Sequence, residues 1–352
     1  MTTLNLAQIQ QHDPEGMLHL LSSFSEQCKR GWEIGEAIKL ESCDEWIPNN
    51  IVIAGMGGSG IGGDLVKAVV GAQFPCPIIV HRGYTLPAFV TSQTLFIAVS
   101  YSGNTEETLL SVEQAFSQGA NILAVTSGGK LKAFTDIHNL PCVMIPAGQP
   151  PRASLGYLLM PILSVLARLE FVPDLDFQTD LDETIALLGK LAEDFHPEAL
   201  ESQPKQLAQA LCGKLPVIYA PQELEAIAMR WKGQMNENGK SLAYYSVYPE
   251  MNHNEIEGWK YPSVLTEQCY VIQLRDPIAP SQTQRRMGIT AELIQPHTAG
   301  ITQVNSAGRS LLARLLSLVA IGDWTSFYLA ILYEQNPTPV ERIEELKRRL
   351  AM

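Results

Sequence analysis

"IVIAGMGGSGIGGDLV", residues 51–66, joins four apolar residues to a stretch in which six of the ten positions 55–64 are glycine. A short apolar run that stops at glycine reads as a buried strand, and the apolar residues beyond it as the start of a helix. Glycines between a strand end and a helix start let a backbone come close to an anion, and the helix N-terminus supplies free N–H groups. The stretch contains G-x-G-x-x-G at Gly55, Gly57 and Gly60. On these residues alone the ligand is either the pyrophosphate of a dinucleotide or another phosphate.

Moving outward, compact apolar runs at 50–56, 77–82, 94–100, 121–127 and 142–147 alternate with helical periodicity at 60–71, 105–118 and 129–134. That alternation predicts a parallel sheet covered on both faces. A helical zone follows (154–170 and 180–195), and the composition turns polar over 196–205. Strand patterns then return at 215–221, 269–276 and 300–306, with helical patterns at 222–236, 281–294 and 308–333. The expected fold is α/β, with two similar lobes, each a parallel sheet flanked by helices in a three-layer α/β/α arrangement. The expected divisions are 1–45 as an N-terminal helical segment, 46–152 as the first lobe with phosphate-binding loops, 153–205 as a helical connection, and 206–352 as the second lobe with C-terminal helices.

Composition narrows the classes. The chain has 352 residues, 46% hydrophobic and 18% charged, which is globular, and its net charge of −12 argues against a nucleic-acid partner. The longest apolar stretch, "LLARLLSLVAIGDWTSFYLAILY" (311–333), is interrupted by Arg314 and Asp323. Each such charge costs about 2.5–3.5 kcal/mol at the centre of a membrane, so a buried core helix is expected and no membrane. The N-terminus shows neither a basic region nor an apolar core of the kind that targets secretion. Six scattered cysteines without a C-x-x-C pair read as reduced thiols, which points to the cytoplasm, and no metal-ligand spacing is present.

Two further stretches bear on the phosphate. A dinucleotide site needs an acid at the end of the second strand, where this chain has "IIVHRG" (78–83). That disfavours NAD, while Arg82 leaves a phosphorylated dinucleotide open. The strand at 94–100 runs into "SYSGNTEET" (100–108), which places the hydroxyls of Ser100, Ser102 and Thr105 around Gly103. A helix cap uses one hydroxyl; three beside a glycine at the C-terminal end of a strand suit a phosphate.

"GMGGSGIGGD" together with "VSYSGNTEET" (99–108) resembles the sugar isomerase (SIS) domain. "QPPRASLGY" (149–157), "MNENGKSL" (235–242), "YPEMNHNEIEGW" (248–259) and "NPTPVERIEELK" (336–347) narrow the resemblance to the bifunctional phosphoglucose/phosphomannose isomerase family. It implies two SIS-type lobes and isomerisation of glucose 6-phosphate, fructose 6-phosphate and mannose 6-phosphate. The reaction would run by ring opening and a cis-enediol, without metal or redox cofactor. It assigns Glu237 as the base, His253 as the ring opener contributed by the partner subunit of a homodimer, Arg152 as the cation beside the enediolate, and Lys347 as a residue entering the site. Gly58, Ser59, Ser100, Ser102 and Thr105 would hold the phosphate and sugar. Gly239 and Glu257 depart from the family pattern, where alanine and valine are expected. Each residue also has a plainer reading: a solvated helix end for Glu237 and Lys347, a core histidine for His253, and a helix-start arginine for Arg152. Two other functions stay open, a non-catalytic phosphosugar sensor and an NADP-linked oxidoreductase. The sensor lacks a recognisable output module, and the oxidoreductase leaves the hydroxyl loop unexplained.

Overall fold

The computed structural model describes residues 4–39, 47–169 and 176–350; Cys43 and the expected helix end at 170 lie outside them. The chain divides into two compact units. One comprises Ser23–Gly189 with Gly308–Ala313, the other Lys190–Ala307 and Arg314–Met352 with Met1–Ser22.

Two short helices come first, α1 (Leu6–His12) and α2 (Met17–Ser22). Asn5 caps α1 by accepting from the Gln8 N–H at 3.0 Å, and Asp13 accepts from the N–H groups of Met17 and Leu18 at 2.7 and 2.8 Å. Then follow α3 (Phe24–Ala37), β1 (Asn50–Ala54), α4 (Gly57–Val70), β2 (Ile78–His81), β3 (Thr94–Ser100), α5 (Glu106–Ser117), β4 (Asn121–Thr126), α6 (Gly129–His138), β5 (Cys142–Met144), α7 (Leu155–Arg168) and α8 (Phe177–Phe195). The five strands form one all-parallel sheet in the order β2-β1-β3-β4-β5.

Alternation along each strand explains the unbroken apolar runs. Val52, Ala54, Phe96, Ala98, Ile122 and Ala124 point to one face, under Val112 and Ala115 of α5 and Leu131 of α6. Ile53 points to the other face, against Gly63 of α4. Both faces are covered, so the central positions of the strands are apolar on both sides and polar residues are left to the strand ends. Arg168 of α7 donates from Nη1 to the carbonyls of Gly35, Glu36 and Ile38 at 3.2, 3.1 and 2.8 Å, closing the end of α3.

The second unit carries α9 (Gln203–Leu211), β6 (Leu215–Pro221), α10 (Glu225–Glu237), β7 (Tyr244–Tyr248), α11 (Ser263–Thr266), β8 (Cys269–Arg275), α12 (Ser281–Ile294), β9 (Gly300–Asn305), α13 (Leu311–Leu332) and α14 (Glu341–Leu350). Its sheet is also all parallel, in the order β7-β6-β8-β9. Strand β7 falls in "AYYSVYPE", which apolar patterning leaves unassigned. It is an edge strand, four of its five residues are exposed or half-buried, and aromatic residues take the place of an aliphatic run.

Helix α13 is the long apolar segment, and 94% of its most apolar window is covered by protein. Its two charges are both paired. Arg314 Nε lies 3.0 Å from Asp276 Oδ2, and Arg230 meets Asp323 in a two-point contact at 3.1 and 2.6 Å. Burial pushes the Asp323 carboxyl upward, and the Arg230 guanidinium opposes that shift. Arg230→Met therefore leaves a buried carboxylate without its cation. Chemical denaturation should show a loss of about 3–5 kcal/mol, most of it recovered when Asp323→Leu is added.

Candidate active site

In the Ser23–Gly189 unit, β1 leads through α4 to β2 on one side, whereas β3 pairs with the other edge of β1 and leads through α5 to β4. Right-handed crossovers of opposite direction put α4 and α5 on opposite faces of the sheet. The loops after β1 and β3 therefore diverge and leave a crevice at the C-terminal ends of the strands, where open α/β sheets bind ligands. Ala54 pairs with Ala98, so Val99 and Ser100 run past the end of β1, and Ser100 stands beside Thr126 of β4.

The residues expected at the phosphate meet here. Ser100 is 1% exposed, and its Oγ donates to Thr105 Oγ1 at 3.0 Å. Thr105 occupies the N-cap position of α5 but makes no side-chain cap bond, so its hydroxyl faces Ser100 instead of its own helix. Met56, at the N-cap of α4, likewise contributes no side-chain cap. Both helices thus begin at the crevice with positive ends that no side chain of the cap residue covers. Gly103 turns the loop with φ +66°, and a Cβ there would lie 1.8 Å from the Gly128 carbonyl oxygen, so only glycine fits. The exposed Ser102 accepts from the Asn104 N–H at 3.3 Å. Buried Ser59 accepts from the Tyr101 N–H at 3.3 Å and ties the first loop to the second.

Arg152 joins this group through backbone packing. Pro150 and Pro151 lead into a single 3-10 turn, Pro151–Ala153, which lies on the start of α4. A Cβ on Gly58 would meet the Pro151 carbonyl oxygen at 2.9 Å and the Arg152 Cα at 3.4 Å. The missing side chain is what admits the turn and its arginine, which is only 4% exposed. Arg82 has a different partner from the one a phosphorylated dinucleotide would need: its guanidinium pairs with the carboxylate of Asp64, the last residue of the glycine stretch.

The other three expected residues lie in the second unit. Glu237 is the last residue of α10 and lines a cleft of about 400 Å³ with Asn236, Lys240, Asn336, Pro339 and Arg342. Its neighbours brace the backbone: Asn236 Oδ1 accepts from the Ala243 N–H at 3.1 Å, and Asn238 donates to Ser326 Oγ at 3.1 Å. His253 ends the 3-10 turn Glu250–His253 and is exposed. The segment around it is anchored by Asn252 to Thr290 Oγ1 (2.8 Å), by the Tyr219 hydroxyl to Glu255 (2.5 Å), and by Trp259 Nε1 to the Tyr219 hydroxyl (2.8 Å). Lys347 lies exposed farther along α14, whose residues at the cleft are Glu341, Arg342 and Ile343. Lys240 and Arg342 are the cleft cations that the motif reading passed over, although both stand inside the quoted stretches, three residues after Glu237 and five before Lys347. Among the described residues, no three His, Cys, Asp or Glu side chains form a group that could hold a metal ion.

Comparison with known proteins agrees with this geometry. The SIS domain model matches residues 47–148, and the model of the bacterial phospho-glucose isomerase C-terminal SIS domain matches residues 200–350. A bifunctional phosphoglucose/phosphomannose isomerase of Caldicellulosiruptor bescii is 42% identical over 95% of this chain and 99% of its own. A protein of the same name from Aquifex aeolicus is 38% identical over 85% of this chain and 90% of its own. A crystal structure of a hypothetical protein from Thermus thermophilus superposes with a TM-score of 0.74, covering 96% of this chain and 91% of that one, at 17% identity, a likeness of fold alone. With its loops, sheets and relatives in agreement, the chain belongs to the bifunctional phosphoglucose/phosphomannose isomerase family.

Proposed function

We propose that this protein is an isomerase that interconverts glucose 6-phosphate and fructose 6-phosphate and accepts mannose 6-phosphate, without metal or redox cofactor. The observation that carries this reading is the crevice between β1 and β3, where the Ser100 and Thr105 hydroxyls face each other at 3.0 Å at an uncapped helix start. That geometry suits phosphate oxygens. The names of the relatives supply the sugar.

The chemistry divides among the named residues. Phosphate oxygens accept from the hydroxyls of Ser100, Ser102 and Thr105, with Gly58 and Ser59 beside the phosphate and sugar. His253 gives a proton to the ring oxygen and takes one from the anomeric hydroxyl, which opens the ring. Glu237 removes the proton from C2 of the open aldose. The C2–H electron pair becomes the C1–C2 double bond, and the carbonyl electrons move onto O1, leaving an enediolate beside Arg152. Return of the proton to C1, with transfer of the O2 proton to O1, yields the ketose. Proton return to the other face of C2 yields the mannose epimer. Electrons move only within the sugar, so no redox partner enters.

His253 acts at the site of the partner subunit in a homodimer; its exposure, and the lack of a side-chain hydrogen bond to it among the described residues, support that placement. Lys347 enters the site from α14. The five described cysteines are free thiols, which supports a reducing, cytoplasmic setting.

Fructose 6-phosphate incubated with the protein and a chelator should give both aldose phosphates; binding without turnover would favour the sensor instead. Glu237→Gln should lower kcat by about 10²–10⁴-fold, the range of general base catalysis, with phosphosugar affinity little changed. Turnover at the wild-type rate in that variant would remove Glu237 as the base. Ser100→Ala and Thr105→Val should each raise KM with kcat nearly kept, because a hydrogen bond to a charged group contributes about 1.5–3 kcal/mol. Mixing Glu237→Gln with His253→Ala should restore activity through mixed dimers; continued inactivity would place both residues in one subunit's site.

A further inference from the structure

We propose that Lys240 is a positioning residue that sets the width of the Glu237 cleft, by clamping the end of α10 to the chain segment ahead of α14. This rests on the reading of Glu237 as the base.

Lys240 Nζ donates to three main-chain carbonyls: Glu237 at 2.5 Å, Pro337 at 3.1 Å and Pro339 at 2.5 Å. Three donors meet three acceptors, which a compact ammonium satisfies and a planar guanidinium fork does not. The Glu237 carbonyl belongs to the last turn of α10, where carbonyls lack helical partners and a cation is favoured. The other two acceptors lie in the strap that connects α13 to α14. Proline has no N–H, so at positions 337 and 339 the strap can be held only through its carbonyls. Asn336 steadies it from within, its Oδ1 accepting from the Thr338 N–H at 2.9 Å.

The backbone at Lys240 serves the same contact. It sits at φ +53°, a left-handed conformation rare for a lysine, directly after Gly239. A single cation therefore joins the helix end that carries Glu237 to the segment that forms the facing wall with Pro339, and from which Glu341 and Arg342 continue. The hydroxyls proposed to hold the phosphate belong to the other unit, and the three carbonyls that Lys240 engages are not among its residues. Releasing it should disturb the approach of the carboxylate to the sugar carbons while leaving the capture of the phosphate intact.

The test compares the wild-type protein with Lys240→Met and Lys240→Gln by fructose 6-phosphate kinetics, melting temperature, and hydrogen–deuterium exchange of peptides covering 335–343. For Lys240→Met, kcat should fall about 10- to 100-fold, as a displacement of about 1 Å does. KM should stay within about twofold, the scatter expected when binding contacts are kept. Exchange over 335–343 should accelerate while the sheet peptides keep wild-type rates. Lys240→Gln, which retains a neutral donor, should fall between the two. An unchanged kcat, unchanged exchange over 335–343, or a loss of kcat that only follows a drop in melting temperature in both variants would each overturn the clamp. A fully active Glu237→Gln enzyme would instead overturn the assignment of the base and leave the exchange result standing.

Discussion

A phosphate held at the C-terminal end of a parallel sheet needs two backbone segments that approach it from different sides with no side chain between them. In this chain that constraint is met where the strand order reverses, between β1 and β3, and the surrounding choices follow from it. Gly58 is bare so that the Pro151 carbonyl can pack on the start of α4 and bring Arg152 with it. Gly103 is bare, and left-handed, because the Gly128 carbonyl occupies the space of its Cβ. Ser59 spends its hydroxyl on the Tyr101 N–H, so the loops are fixed to each other before any ligand arrives. A prearranged set of donors avoids the ordering cost that flexible loops would add to binding.

The second sheet shows why the same strand order does not repeat this glycine- and hydroxyl-lined crevice. Its order also reverses, with β6 between β7 and β8. There β6 ends on Pro221 and is followed by Gln222, and β8 is followed by Asp276–Pro277, instead of a glycine run. Asp276 is 4% exposed and turns its carboxylate to Arg314, to the Ser306 hydroxyl and to the Ile278 N–H. This ion pair of the chain's own joins the end of β8 to α13. The chain's net charge of −12 does not exclude an anion at the crevice, since the groups placed there are hydroxyls and helix starts that act over a few ångströms.

Much of this was legible in the sequence, for physical reasons that can be named. Parallel strands covered on both faces are apolar through their central positions, so β1, β3 and β4 stand out, whereas β7, an edge strand with aromatic and half-exposed residues, carries no such mark. The hydroxyl loop was readable because three hydroxyls around a glycine exceed what a helix cap uses. The pairing of Arg82 with Asp64 was not, since 18 positions and a helical crossover separate residues that meet only after folding. The Lys240 contact was illegible for another reason: its acceptors are main-chain carbonyls, which every residue possesses, so nothing in the side-chain pattern distinguishes them. Motif resemblance drew attention to Glu237, and the cleft's neighbouring cations became visible only with the strap in place.

The central claim is proton transfer through an enediol at C1 and C2 of a phosphosugar, and exchange with solvent tests it most directly. Fructose 6-phosphate turned over in D2O, with the products followed by NMR, should acquire deuterium at C2 of glucose 6-phosphate and at C1 of the recovered fructose 6-phosphate, because a proton held on a carboxylate between steps exchanges with water. Complete conversion with no deuterium at either carbon would indicate direct hydrogen transfer between the carbons and would contradict the account.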